Sequence, residues 1–369
     1  DATEGPGMLL GALALMAATQ APLAVWFYGF AVDASLGVKL AAIASYVLTG
    51  ALWIAAVFLS TLKDFRAITW SFASGMFTGF AAGVWLAPHG AAGLLAGFSA
   101  GLAVVLFALV ARIFAEYPYP VVRPFAFVAY FRRYWDLAAQ AFCYNAAIWV
   151  DKWIMWLSPE AETEAGALVS LPVYDSSMFL AYLTILPAMA LFVLIVETAF
   201  FERYLAFFRE ISGHGTWARL RAAQIGVIDS VGEGFRVLVV LQGALSYLAI
   251  LTAPAIFAAL GLGFQQIAIF RFGVLGALFH ALLLFVLIVF AYFDLRKLAL
   301  KLVFFFLVAN AASSAATLWA GFEWYGYGYF LSATATFAIA YAIMLRKLAN
   351  LPYLAFVEIN PSVQNRGSA

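Results

Sequence analysis

The string Tyr144-Asn145-Ala146-Ala147-Ile148-Trp149-Val150-Asp151-Lys152-Trp153 sets an acid beside a base inside an apolar, aromatic run long enough to cross a bilayer. Ionisable groups at membrane depth are costly unless they pair or face water, so Asp151 and Lys152 head the functional candidates. At helical spacing Asn145, Trp149 and Lys152 fall at i, i+4 and i+7 on one face, with Tyr144 and Asp151 at its flank. Amides exchange hydrogen bonds with hydroxyl groups and aromatic rings cover apolar sugar faces, so this face suits a hydrated, hydroxyl-rich cargo. A mutual ion pair that only holds helices together is the alternative for Asp151 and Lys152.

Further polar side chains stand in otherwise apolar segments. Asn310, Ser313, Ser314 and Thr317 form a stripe, Gln242 and Tyr247 mark another segment, and Asp175 and Glu197 bracket a third. Small polar residues also serve helix packing, which is the competing reading for Ser313 and Ser314. His280, between Phe279 and Ala281, would serve a membrane-embedded acyl- or glycosyltransferase if a polar partner such as Asn310 shared its cavity. Otherwise it is a packed, hydrogen-bonded histidine. Arg271 can snorkel to the interface, and Glu197 can pair with Arg203 or Arg236. Cys143 is the only cysteine, and no P-loop, Gly-x-Ser-x-Gly or metal-spaced His/Cys cluster occurs. No cofactor and no enzymatic activity are expected.

The elements that must position these groups are membrane helices. Of 369 residues, 66% are apolar and 11% charged, far from the roughly 45–50% and 25% of soluble domains. The net charge of +1 gives no field for nucleic acid. Ten apolar segments, near 7–29, 38–62, 67–88, 91–113, 134–157, 175–197, 234–259, 268–293, 298–321 and 325–345, approach the roughly 20 residues a spanning helix needs. Backbone groups in lipid must be satisfied within the segment, and no alternating barrel pattern occurs, so an all-α polytopic membrane protein follows.

All but three of the 20 Lys and Arg residues fall on the side that holds both termini; Lys39, Arg271 and Lys152 are the exceptions. That asymmetry predicts a cytoplasmic location for this side. Loop 158–175, with Glu160, Glu162, Glu164 and Asp175 and no base, is then external. Residues 114–133 carry Pro118, Pro120 and Pro124 and read as a cytoplasmic linker. It separates four spans (1–113) from six (134–350), ahead of a cytoplasmic tail, 351–369. Two-lobed transporters are often built from repeated halves, so a twelve-span protein lacking its first two spans is expected, and Asp1 in place of Met points the same way. The excursion 198–233 predicts an amphipathic interfacial helix through Phe200, Phe201, Tyr204, Leu205 and Phe208. A break at 212–216 and a second polar helix from about Trp217 to Val231 follow.

Four segments, WVDKWIMW (149–156), LFVLIVETAFFERYLAFFREI (191–211), ALWIAAVFLSTLKDFRAI (51–68) and LPYLAF (351–356), resemble the PelG family of exopolysaccharide transporters. That family is similar to the flippases of the multidrug/oligosaccharidyl-lipid/polysaccharide exporter superfamily. The resemblance covers essentially the whole chain, although Ala199 follows the Glu197-Thr198 pair where the family tends to carry an acid. It implies a two-lobe exporter bundle in the bacterial inner membrane. It also implies the synthase PelF and the membrane partners PelD and PelE, with a galactosamine-rich polymer as cargo.

Three function classes remain open at this level. A polysaccharide transporter, or a flippase for lipid-linked oligosaccharide, needs a polar vestibule. A transferase needs His280 and Asn310 together, and a noncatalytic scaffold would place its information in 198–233.

Overall fold

In the computed structural model, which describes residues 2–195 and 200–358, the chain is almost entirely helical. Helices α1 (Gly5–Trp26), α2 (Leu36–Thr61), α3 (Phe65–Leu86) and α4 (Gly90–Glu116) come first, and the short α5 (Val128–Arg133) precedes α6 (Trp135–Met155). Strands β1 (Glu162–Glu164) and β2 (Leu168–Ser170) interrupt the helices, followed by α7 (Pro172–Leu183), α8 (Ile185–Ile195), α9 (Phe201–Ser212) and α10 (Trp217–Ala259). Helices α11 (Gln266–Tyr292), α12 (Arg296–Ala320) and α13 (Tyr327–Ala349) complete the bundle.

Among the described residues, eight helical stretches are long and apolar enough to cross a membrane. The stretch Phe65–Glu116 folds back through Ala87–Gly90, where Gly90 takes φ 65°, and so supplies two crossings, α3 and α4. Helix α6 has the length to cross but is diluted by Asp136, Gln140, Asn145, Asp151 and Lys152. Each of the ten predicted segments therefore falls on a helix, with the sixth divided between α7 and α8. Trp85, Phe107 and Trp319 are about four-fifths exposed or more, a surface stable only against lipid or a partner. The chain is a multi-pass membrane protein.

The chain divides into two compact units. The first comprises residues 1–135 with 163–169, and the second 136–162 with 170–369. In the first, α3 and α4 approach closely through glycine. A Cβ on Gly101 would lie 2.6 Å from Gly75 O and 2.8 Å from Gly79 Cα, a small-residue contact that dispersion rather than water exclusion must drive in lipid. At one end of this unit Asp64 caps α3, accepting from Ala67 N at 3.1 Å and from Arg112 Nε at 2.7 Å. The Arg112 hydrogen bond, then the Ala67 amide, holds its carboxyl below the usual carboxylate range.

In the second unit α11 is the central helix, buried on most sides by α7, α10 and α13, as an all-round apolar helix must be. Two features depart from the expectations. The polar helix and seventh span form one 43-residue helix, α10, about 64 Å long at 1.5 Å per residue, because nothing before Pro254 breaks it. The loop 158–175 carries a hairpin that the loop's acidic composition concealed. Its turn takes positive φ at Ala165 (47°) and Gly166 (74°), the backbone a tight hairpin requires. Leu351 and Leu354 are buried in the second unit, so the start of the tail packs there.

Candidate functional site

The last turns of α6 carry the acid and base into the core of the second unit. Asp151 is fully buried and Lys152 is 7% exposed. Adjacent helical side chains diverge by about 100°, so the lysine stem bends back to bring Nζ within 3.4 Å of both Asp151 oxygens. The shorter contact to the carboxylate is the Tyr174 phenol of α7, which donates to Oδ2 at 2.8 Å. Lys152 Nζ also donates to Ile148 O at 3.0 Å and lies 4.7 Å from the centre of the Tyr182 ring. Each charge thus has more than one compensating group, which a buried pair needs.

The same tyrosine leads to His280. Tyr182 lies 5.3 Å from the Tyr329 ring of α13, and Tyr329 Oη is 2.8 Å from His280 Nδ1. The other ring nitrogen, Nε2, is 2.8 Å from Tyr144 Oη of α6. A neutral imidazole has one donor and one acceptor nitrogen, so one phenol donates to it and the other accepts. Gly276, one turn before His280, makes this possible: a Cβ there would lie 2.5 Å from Tyr329 Cε1. His280 is therefore a satisfied core histidine joining α6, α11 and α13.

Asn310 plays a parallel part on α12. Its Nδ2 donates to Ala147 O at 2.8 Å, and its Oδ1 accepts from Ser314 Oγ at 3.1 Å. Ser313 Oγ lies 2.8 Å from Gly328 O of α13, and Thr317 Oγ1 donates to Ser314 O. The stripe ties α12 to α6 and α13. His280 and Asn310 are engaged by different partners, and no hydrogen bond joins them among the described residues.

The structure splits the remaining candidates. Asn145 and Trp149 sit on the exposed side of α6, Asn145 Nδ2 returning to Ala141 O and Trp149 being half exposed. The expected single face with Lys152 is divided because the lysine stem turns under Tyr182. Asp175 braces the first turn of α7: Oδ2 accepts from Leu171 N at 3.0 Å and Trp156 Nε1 at 2.9 Å. Gln242 is fully buried with neither amide atom hydrogen-bonded, while Tyr247 is exposed. Glu197 lies outside the described residues. Sequence reasoning misses Tyr174 and Tyr182, and reads Tyr329 as part of an interfacial aromatic cluster, whereas it is fully buried. Their signal is a phenol in an apolar helix where Phe would serve packing alone.

Comparison with known proteins completes the description. The family described as "PelG: Putative exopolysaccharide Exporter (EPS-E)" matches residues 3–356. A solved structure, the outward-facing conformation of a multidrug resistance MATE family transporter of the MOP superfamily, is similar. It has a TM-score of 0.57 and 13% identity, covering 95% of this chain and 79% of that one. A second, a MATE in complex with MaL6, has a TM-score of 0.55 and 12% identity, covering 95% and 80%. At such identities the likeness is one of fold. No curated protein matches the chain. An exporter family on a transporter fold supports a polysaccharide transporter rather than an enzyme. The chain belongs to the PelG family of exopolysaccharide exporters.

Proposed function

We propose that this chain moves the Pel exopolysaccharide across the bacterial inner membrane during synthesis, with the cytoplasmic glycosyltransferase PelF and the membrane partners PelD and PelE. The observation that carries this reading is the family match over residues 3–356. In this reading residues 1–113 and 134–350 act as two lobes joined by 114–133. Asn145 and Trp149, on the exposed side of α6, meet the polymer as amide and aromatic surfaces. Asp151, Lys152, Tyr144 and Asn310 hold α6 in register with its neighbours, and Asp175 fixes the start of α7. Gln242 and Glu197 are further positions to test.

The test is polymer appearance outside inner-membrane vesicles holding the full-length protein, its membrane partners and the synthase. Export that is equal without this subunit overturns the proposal and leaves the scaffold alternative. Trp149→Ala is expected to lower export with membrane abundance unchanged.

A further inference from the structure

A cleft of about 660 Å³ opens between α9 and the first half of α10. Glu202 and Arg203 come from α9, and Asp229, Ser230 and Glu233 from α10. Asp229 and Glu233 stand at i and i+4, a like-charge arrangement that an isolated helix disfavours. None of these four charged side chains forms an ion pair among the described residues. Ser230 is buried (7% exposed), lines the cleft, and its hydroxyl has no hydrogen-bond partner. Polar groups so enclosed are normally satisfied, so the unpartnered Ser230 hydroxyl in the wall of a cleft with three unpaired acids points to a missing hydrogen-bond partner.

We propose that this cleft binds a lysine- or arginine-bearing segment of a cytoplasmic partner protein. Three carboxylates against one guanidinium select a cation. Among the described residues no group of three acid, histidine or cysteine side chains could hold a metal ion, and the volume suits side chains rather than an ion. No aromatic residue lines the cleft, so it lacks the flat apolar faces that sugar rings require. The positive-inside pattern places α9 and the first half of α10 on the cytoplasmic side, and α10 is about twice as long as the roughly 30 Å hydrocarbon core. Arg203 lies across Gly226, its Cδ 3.6 Å from where a Cβ would stand there. It is the one lining group that opposes the incoming charge.

This inference rests on the proposed function only for there being a cytoplasmic partner, and its readout is binding rather than export. The full-length protein in nanodiscs is titrated with a fluorescent Lys/Arg octapeptide, with a galactosamine oligomer as competitor. Asp229→Asn with Glu233→Gln is expected to weaken binding about tenfold, and Arg203→Gln to tighten it several-fold. Ser230→Ala is expected to weaken binding by a smaller factor. Opposite directions from two charge removals cannot arise from misfolding. Affinity unchanged in both charge variants, or displacement of the peptide by the galactosamine oligomer at lower concentration, would overturn the proposal. Export from vesicles that is equal without this subunit, with peptide binding intact, would count against the transport reading alone.

Discussion

Replacing Lys152 by Met would leave the Asp151 carboxylate fully buried with the Tyr174 phenol as its remaining side-chain donor. Removing one partner of a buried pair costs about 3–5 kcal/mol, because the other charge stays desolvated. Asp151→Asn keeps an acceptor for Tyr174 but strands the ammonium against Ile148 O and the Tyr182 ring. A desolvated cation–π contact offsets about 2 kcal/mol of that, so this variant should be the milder of the two singles. The double variant Asp151→Asn with Lys152→Met carries no buried charge, retains the phenol contact and fills the lysine volume. It should lie within about 1–2 kcal/mol of wild type, since volume-conserving changes are tolerated best. Thermal unfolding of the full-length protein in nanodiscs reads this order, with export from vesicles measured in parallel. A double variant that unfolds as early as Lys152→Met would refute the pairing. A stable double variant that no longer exports would give the charges a part in transport.

Two other outcomes follow from the same geometry. His280→Phe strands the Tyr144 and Tyr329 phenols at about 1–3 kcal/mol each, so it should lower the unfolding temperature more than Tyr144→Phe does; equal shifts would refute the three-residue bridge. Asp64, whose folded value lies below the ordinary carboxylate range of about 4, contributes stability present above that range and lost as pH falls through its lowered value. The gap between wild type and Asp64→Asn in unfolding temperature should close on acidification, and a gap independent of pH would remove the Arg112 contact as its cause.

Much of the architecture was legible in the chain because lipid imposes one rule on every residue. A backbone in hydrocarbon must satisfy its own hydrogen bonds, so an apolar run of the right length is a helix whatever surrounds it. The break at 212–216 and the amphipathic spacing of α9 were readable for the same local reason. The continuity of α10 was not. Composition changes at its middle while helix geometry does not: no breaker interrupts it, and burial of Val227, Val231 and Leu238 in the core supports both halves.

Which side chains are expensive at membrane depth is readable from the chain alone: Asp151, Lys152, His280 and Asn310 stand out against apolar neighbours because each needs a partner. Their partners are set by how the helices pack. Tyr174 and Tyr182 come from α7 and Tyr329 from α13, and a phenol in an apolar run carries no local mark of what it will bond. Whether a polar group faces inward or outward is likewise decided by packing. Asn145 and Lys152 share a helical face by spacing, yet one is exposed and the other sealed under Tyr182, because a long flexible stem takes the direction its neighbours leave open.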